Sequence, residues 1–361
     1  MRVATLWIQG VRNLRDVRLD LGPGVNLVTG PNGAGKTSLL EGVHILGTGR
    51  SFHSERLERI IGVNDDALVV YGELIGREGD CTRVGVKRDR ARWQVRVNGE
   101  PVRRLSELSG RLPLLVFHPE SRLLVAGAPK ERRRFLDLGL FHVEHSFVGA
   151  MQRYSRALKQ RNLALRMAEP RALATWTNEL LAAAAELTEL RHAHVEALAE
   201  RLPSLATQLF PKHPPPQLRY APGWPRQFES LEQALHQAAD RERRYAHTVY
   251  GPHRGDIHIE WPSESPTRPT ARGHEKLLAA ALQAAQARLF ADQLKSPPVC
   301  LADDLGSELD TINRIAVLNV FRSICPQVLV TTLDQHAFPV DDLAPLKRFC
   351  IDEGRVQDLV Q

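Results

Sequence analysis

The chain has 361 residues, 43% of them hydrophobic, which supports one large domain or two ordinary ones with real cores and excludes a disordered or fibrous polypeptide. Its 48 Lys and Arg outweigh 42 Asp and Glu for a formal net charge of +6, so anionic partners are favoured and nucleic acid heads that class. No uncharged apolar stretch reaches bilayer-spanning length, and Cys81, Cys300, Cys325 and Cys350 form no C-x-x-C pair; a cytoplasmic, membrane-free protein with reduced thiols and no structural zinc is expected.

Three apolar runs open the chain, Val3 to Ile8, Val17 to Leu21 and Val25 to Val28, and read as strands. The third leads into Gly30-Pro31-Asn32-Gly33-Ala34-Gly35-Lys36-Thr37, which fits the phosphate-loop pattern G-x-x-x-x-G-K-[ST], the Walker A motif. Glycines at these places let successive backbone N–H groups turn toward a phosphate without a Cβ clash. The helix beginning near Ser38 aims its positive end at the same anion. Lys36 is then expected at the β and γ phosphates of ATP, with the Thr37 hydroxyl on Mg²⁺. Leu39, Leu40, Val43 and Leu46 mark the apolar face of that helix.

From Leu68 to Val97, short Val- and Arg-rich strands predict antiparallel pairing. After Phe117-His118-Pro119-Glu120 the chain turns to long Ala/Leu/Glu/Arg segments. There Leu187, Leu190, His194, Leu198, Leu202, Leu205 and Leu209 form a helical stripe, which stops at Phe210-Pro211 and Pro214-Pro215-Pro216, too soon for a coiled-coil arm. A second Pro-rich break, Trp261 to Pro269, precedes a helix predicted from His274 to Leu294. Val299-Cys300-Leu301-Ala302 then runs into Asp303-Asp304, the pattern of a Walker B strand. In a parallel sheet such a strand sets Asp303 beside the Walker A loop as a partner of Mg²⁺, and leaves Asp304 where a general base orients the attacking water. An Asp reaches less far than a Glu, so slow hydrolysis is expected.

Thr270-Ala271-Arg272-Gly273-His274-Glu275-Lys276 heads its helix as an ABC signature does, and Ser307-Glu308-Leu309-Asp310 resembles a D-loop. Arg12-Asn13, Gly47 to Phe52, Lys130 to Asp137, Lys159-Gln160-Arg161-Asn162 and Gly251-Pro252-His253-Arg254 add stretches similar to those of the RecF family of bacterial recombination mediators, and the resemblance runs nearly end to end. It implies an α/β fold, an ABC-type ATPase head with a mixed sheet and P-loop, and a helical second lobe inserted between Walker A and Walker B. The expected division is 1–120, 121–250 and 251–361. It further implies a weak DNA-stimulated ATPase acting as a switch. ATP would drive a homodimer that binds duplex DNA at single-strand gap junctions, with RecR, RecO and RecA as partners. Nucleotide contacts are expected from Arg12, Asn13, Gly30 to Ser38, Arg272, Gly273 and Thr331, with Thr331 or Thr332 as a hydroxyl sensor of the γ-phosphate.

Two departures from ABC patterns stand out. Ala271 occupies the signature serine position, with Thr270 in place of leucine, and Val330-Thr331-Thr332 ends the strand where a switch histidine would follow. A transporter subunit would show a signature near L-S-G-G-Q and a glutamine loop, a long-armed SMC protein hundreds of heptad residues, and a small-molecule kinase no D-loop. The histidines His142, His145, His192, His194 and His336 carry no metal-ligand spacing. For DNA, the basic runs Lys130 to Arg134 and Lys87 to Arg96 are the two surfaces to weigh, and without aromatic interleaving a duplex backbone is the expected target.

Overall fold

The computed structural model describes residues 1–54, 56–102, 108, 111–262, 272–294, 296–307, 309–334, 337–338 and 343–359. The chain divides into two units. The first comprises Met1–Arg122, Ser204–Lys212 and Pro269–Gln361; the second comprises Leu123–Pro203 and His213–Arg268.

In the first unit, β1 (Arg2–Val11), β2 (Leu14–Asp20), β4 (Ala67–Ile75), β5 (Cys81–Asp89), β6 (Trp93–Val97) and β7 (Glu100–Val102) form an antiparallel sheet in the order β2-β1-β4-β5-β6-β7. Period-two alternation sends Leu68, Val70 and Leu74 of β4 and Val84 and Val86 of β5 inward. A second sheet, ordered β14-β13-β3-β12-β11-β8, contains β3 (Gly24–Thr29), β8 (Leu114–Phe117), β11 (Val299–Ala302), β12 (Gln327–Thr332), β13 (Leu346–Asp352) and β14 (Arg355–Asp358). Its strands run parallel except for β14.

Helix α1 (Lys36–Thr48) is packed between the two sheets in one continuous apolar core. Its sequence predicts one apolar face, but twelve of its residues are buried, Lys36, Glu41 and His44 among them. Small residues allow this. A Cβ on Gly42 would lie 2.3 Å from Ile8 Cδ1, one on Gly72 2.4 Å from Leu46 Cδ2, and one on Gly47 2.8 Å from Leu114 Cδ1. Gln327 ties the sheets together: its amide accepts from Val3 N–H at 2.8 Å and donates to the carbonyls of Val3 and Gly22 at 2.8 and 2.9 Å. Beyond the second sheet lie α8 (Arg272–Gln293) and α9 (Thr311–Ile324), with Phe321 of α9 edge-on to Phe117 at 5.5 Å.

The second unit holds α2 (Leu123–Ala126), α3 (Pro129–Val143), α4 (His145–Met167), α5 (Pro170–Leu209, whose last turns belong to the first unit), α6 (Leu231–Gln237) and α7 (Ala239–Tyr245). Its sequence reads as helical throughout, yet β9 (Gln217–Ala221) and β10 (Asp256–Glu260) pair antiparallel within it. That pairing carries the unit past position 250 to Arg268. Alongside a core built on Phe147, Tyr154, Leu180, Leu187 and Leu235 runs a buried polar network. Arg161 donates to Glu242 at 2.6 Å and to Thr248 at 2.8 Å, and Arg191 grips both Asp137 oxygens at 3.0 Å. Such forks are geometrically specific because the guanidinium presents parallel donors.

His253 sits in this network, with Nδ1 accepting from the Tyr154 hydroxyl at 2.6 Å and Nε2 donating to the Thr248 carbonyl at 3.2 Å. Burial pushes its pKa down to about 4. The unfolded chain therefore takes up this proton near the ordinary histidine value while the folded chain refuses it. The second unit should lose up to about 3 kcal/mol as pH falls from about 6.5 toward 4. Thermal unfolding followed across that range should show the decline, and His253→Asn should flatten it.

Candidate functional site

The backbone of the phosphate loop is shaped by three glycines with positive φ, Gly30 at 155°, Gly33 at 78° and Gly35 at 116°. Two have no room for a side chain, since a Cβ on Gly30 would meet Ile351 O at 2.1 Å and one on Gly35 would meet Leu14 Cδ2 at 2.7 Å. Pro31, Asn32 and Gly33 are exposed, whereas Ala34 is buried and its carbonyl accepts from Gly354 N–H at 2.9 Å. Buried Lys36 folds its ammonium back onto the loop, donating to Gly30 O at 2.7 Å and Pro31 O at 2.8 Å. Desolvation lowers its pKa, while Asp304 and Asp303 act the other way.

Asn13 braces this loop from the turn after β1, and Arg12 beside it holds the helix that follows. Asn13 donates to Gly33 O at 2.8 Å and accepts from the Ser38 hydroxyl at 3.1 Å. Arg12 pairs with fully buried Glu41 of α1 at 2.5 Å, and Ser51 donates to the same carboxylate.

Strand order β3-β12-β11 places the loop after β3 two strands from Asp303, with the end of β12 between them. The gap closes through hydroxyls. Thr37 donates to Asp303 Oδ2 at 2.8 Å, and Thr331 donates to Oδ1 at 2.7 Å while accepting from Asp304 N–H at 2.8 Å. Asp303 N–H in turn donates to Phe117 O of β8 at 2.7 Å. Burial raises the Asp303 pKa, but the nearby His53 ring and the hydrogen bonds from Thr331 and Thr37 outweigh it and hold the carboxyl below its ordinary value. Asp304 takes φ 47°, a left-handed conformation uncommon outside glycine, of the kind that gathers at functional sites.

The Thr331 side chain is fully buried, and its hydroxyl bridges the Asp303 carboxylate and the Asp304 backbone N–H. Residues not singled out from the sequence also reach the site. His53 Nε2 lies 3.9 Å from Asp303 Oδ2, and its ring packs tilted against Phe52 at 4.6 Å and edge-on to His118 at 5.4 Å. Fully buried Lys276 of α8 donates to Ser307 O at 2.6 Å and Ser307 Oγ at 3.0 Å, pinning the segment after Walker B. Charge inside a predicted helix gives no signal of such a role. Arg272 is exposed at the start of α8, beside half-buried Gly273; Thr270, Ala271, Glu308 and His336 lie outside the described residues.

The basic run on α3 is not one open patch. Arg132 forks onto Asp256 at 2.7 and 3.0 Å, and Arg133 donates to Gly255 O at 2.8 Å, so both fasten α3 to the β10 segment.

The family model described as RecF/RecN/SMC N terminal domain matches residues 2–344. The chain is 39% identical over 361 residues to the DNA replication and repair protein RecF of Xanthomonas axonopodis pv. citri, covering 99% of this chain and 98% of that one. This chain belongs to the RecF family. RecF of Stutzerimonas stutzeri is 36% identical with the same coverage. The fold of this RecF-family chain matches a solved structure of the recombination mediator protein RecF-ATP in the RecFOR pathway, with a TM-score of 0.85, 20% identity and coverage of 99% and 97%. An Smc head bound to the C-winged helix domain of ScpA gives a TM-score of 0.57 at 15% identity, 99% of this chain covering 97% of it, so the SMC-type head architecture is shared. Among the described residues no helix is long and apolar enough to cross a membrane.

Because the Thr331 hydroxyl serves two buried partners, Thr331→Val should cost about 1–3 kcal/mol by stranding both. Urea unfolding checks this, with Thr331→Ser expected to retain most of the stability.

Proposed function

We propose that this chain is an ATP-dependent, DNA-binding recombination mediator, and a weak DNA-stimulated ATPase used as a switch. The observation that carries the reading is the contact of Thr37 with Asp303 beside Lys36, set in a chain that matches RecF relatives end to end. In this reading Lys36 leaves the carbonyls of Gly30 and Pro31 for the β and γ phosphates, and the inward-turned N–H groups of the loop hold the same anion. Thr37 and Asp303 would hold Mg²⁺, since a hydroxyl and a carboxylate kept ionised are the hard oxygen ligands that ion takes. Bound there, the ion neutralises phosphate charge. Asp304 orients the attacking water. His53 steadies Asp303 from the outer side.

Two copies pair when nucleotide is held, with Arg272 and Gly273 at the start of α8 facing the nucleotide of the other copy. The dimer binds duplex DNA beside single-strand gaps. With RecR and RecO it promotes RecA loading for repair, replication restart and SOS induction in the cytoplasm. Light scattering with and without ATP, then with duplex DNA, tests the switch; a monomer that stays a monomer under all conditions overturns it.

Lys36→Ala should abolish ATP binding, measured by titration calorimetry, while the fold persists. Asp304→Asn should keep ATP affinity within about threefold yet slow hydrolysis by about 100-fold, in the range of a lost general base. Asp303→Asn should instead weaken Mg²⁺-dependent binding. Duplex affinity should fall steeply with salt, because phosphate contacts release counterions.

A further inference from the structure

The antiparallel sheet of the first unit has a second face that looks away from α1. Register brings residues distant in sequence into one row across it: Arg18 opposite Trp7, Trp7 opposite Tyr71, Tyr71 opposite Gly85, and Gly85 opposite Arg96. All these positions are exposed or half-buried. Around the middle of the row lies a concavity of about 660 Å³ lined by Tyr71, Cys81, Arg83, Gly85, Arg96 and Asn98, a volume within the range of small-ligand sites.

Its floor is open because Gly85 has no side chain. A Cβ there would meet only Tyr71 Cδ2, at 4.0 Å. Glycine in a strand interior costs stability and marks close approach by another group. The Tyr71 ring is fixed by its hydroxyl, which donates to Glu73 at 3.1 Å. Glu73 is itself neutralised by Arg83 at 3.3 Å. Arg96 pairs with no carboxylate among the described residues, and neither does Lys87 in the adjoining row. At the far end Trp7 is already engaged, its ring covered by the Arg18 guanidinium at 5.0 Å and its Nε1 donating to Asp16 at 2.6 Å. The accessible part is therefore an aromatic ring, a bare backbone floor and two cations, Arg96 and Lys87, with no carboxylate partner among the described residues.

We infer that this concavity seats a nucleotide of single-stranded nucleic acid, with the base on Tyr71 over Gly85 and the phosphates against Arg96 and Lys87. Charge complementarity and the aromatic surface select this occupant. A duplex keeps its bases stacked and has no ring to offer, while an unpaired strand presents a planar base and a phosphate at every step. Strands from separate parts of the chain supply the ring and the cations, so the interleaving is invisible along the sequence. The inference deepens the DNA-binding reading above by giving the strand beside the duplex its own site.

Cys81 provides a direct probe, being exposed while Cys300 and Cys325 are buried and Cys350 half-buried. An oligothymidylate of about 12 nucleotides should slow maleimide modification of Cys81 in the full-length protein. Anisotropy titrations of that strand should weaken about tenfold in Gly85→Leu and in Tyr71→Leu, and Arg96→Gln should reduce the salt slope by about 0.7. A strand of the same length without bases should bind the parent protein about tenfold more weakly than oligothymidylate. Unchanged Cys81 reactivity at saturating strand overturns the inference without recourse to any variant, as does parental affinity in all three variants, and the face then falls to a protein partner. ATP and duplex binding should be untouched in Gly85→Leu. Their retention alongside a failed footprint would sink this site alone, whereas their absence from the parent protein would sink the broader reading.

Discussion

One carboxylate organises the head. Asp303 accepts from the helix that follows the phosphate loop, from the strand beside it, and stands next to a histidine from the segment after that helix. Its own backbone is held by a further strand. Three pieces of chain far apart in sequence are thereby registered on two oxygens, and a fourth on the backbone N–H of the same residue. A buried charge is tolerated only when its lone pairs are satisfied, so the position of each neighbour is dictated by the need to satisfy this one. The left-handed turn at Asp304 is part of the same arrangement, because the Thr331 hydroxyl that orients Asp303 also accepts from the Asp304 N–H.

The phosphate loop is legible in the sequence because its requirements are local: glycine where φ is positive, lysine where the charge must go. The Walker B strand is legible because apolar residues run unbroken into two acids. What sequence patterns conceal is lateral. Thr331 reads as a hydroxyl at a strand end, and only the strand order β3-β12-β11 puts it between the other two motifs. His53 and Lys276 are ordinary in their local windows and gain meaning from contacts across the fold. The pairing of β9 with β10 spans a helical stretch, so no window around either strand announces it.

The second unit shows how charge can be structural. Arg132, Arg133, Arg161 and Arg191 each end on a carboxylate or a carbonyl within that unit. A basic run counted along the chain overstates the positive surface, since arginines that are desolvated and forked serve register and not a partner. The network also accounts for two of the family-like stretches. Arg161 and Asn162 from one meet Thr248, just ahead of the other, whose His253 binds Tyr154 and the Thr248 carbonyl.

Helix α1, enclosed by sheets on both sides, has almost no surface of its own. Only Thr37 keeps partial access to solvent, and that residue is the one proposed to meet a metal. Change elsewhere along this helix is consequently a change to the core of the head, so charge reversals, tags or regulatory modifications have nowhere to attach. Diversity among chains built this way must accumulate on the outer sheet, the loops and the second unit. The element proposed to receive the phosphates would then act as a stiff wedge: displaced at one end, it has no soft boundary in which to dissipate the movement before both sheets register it.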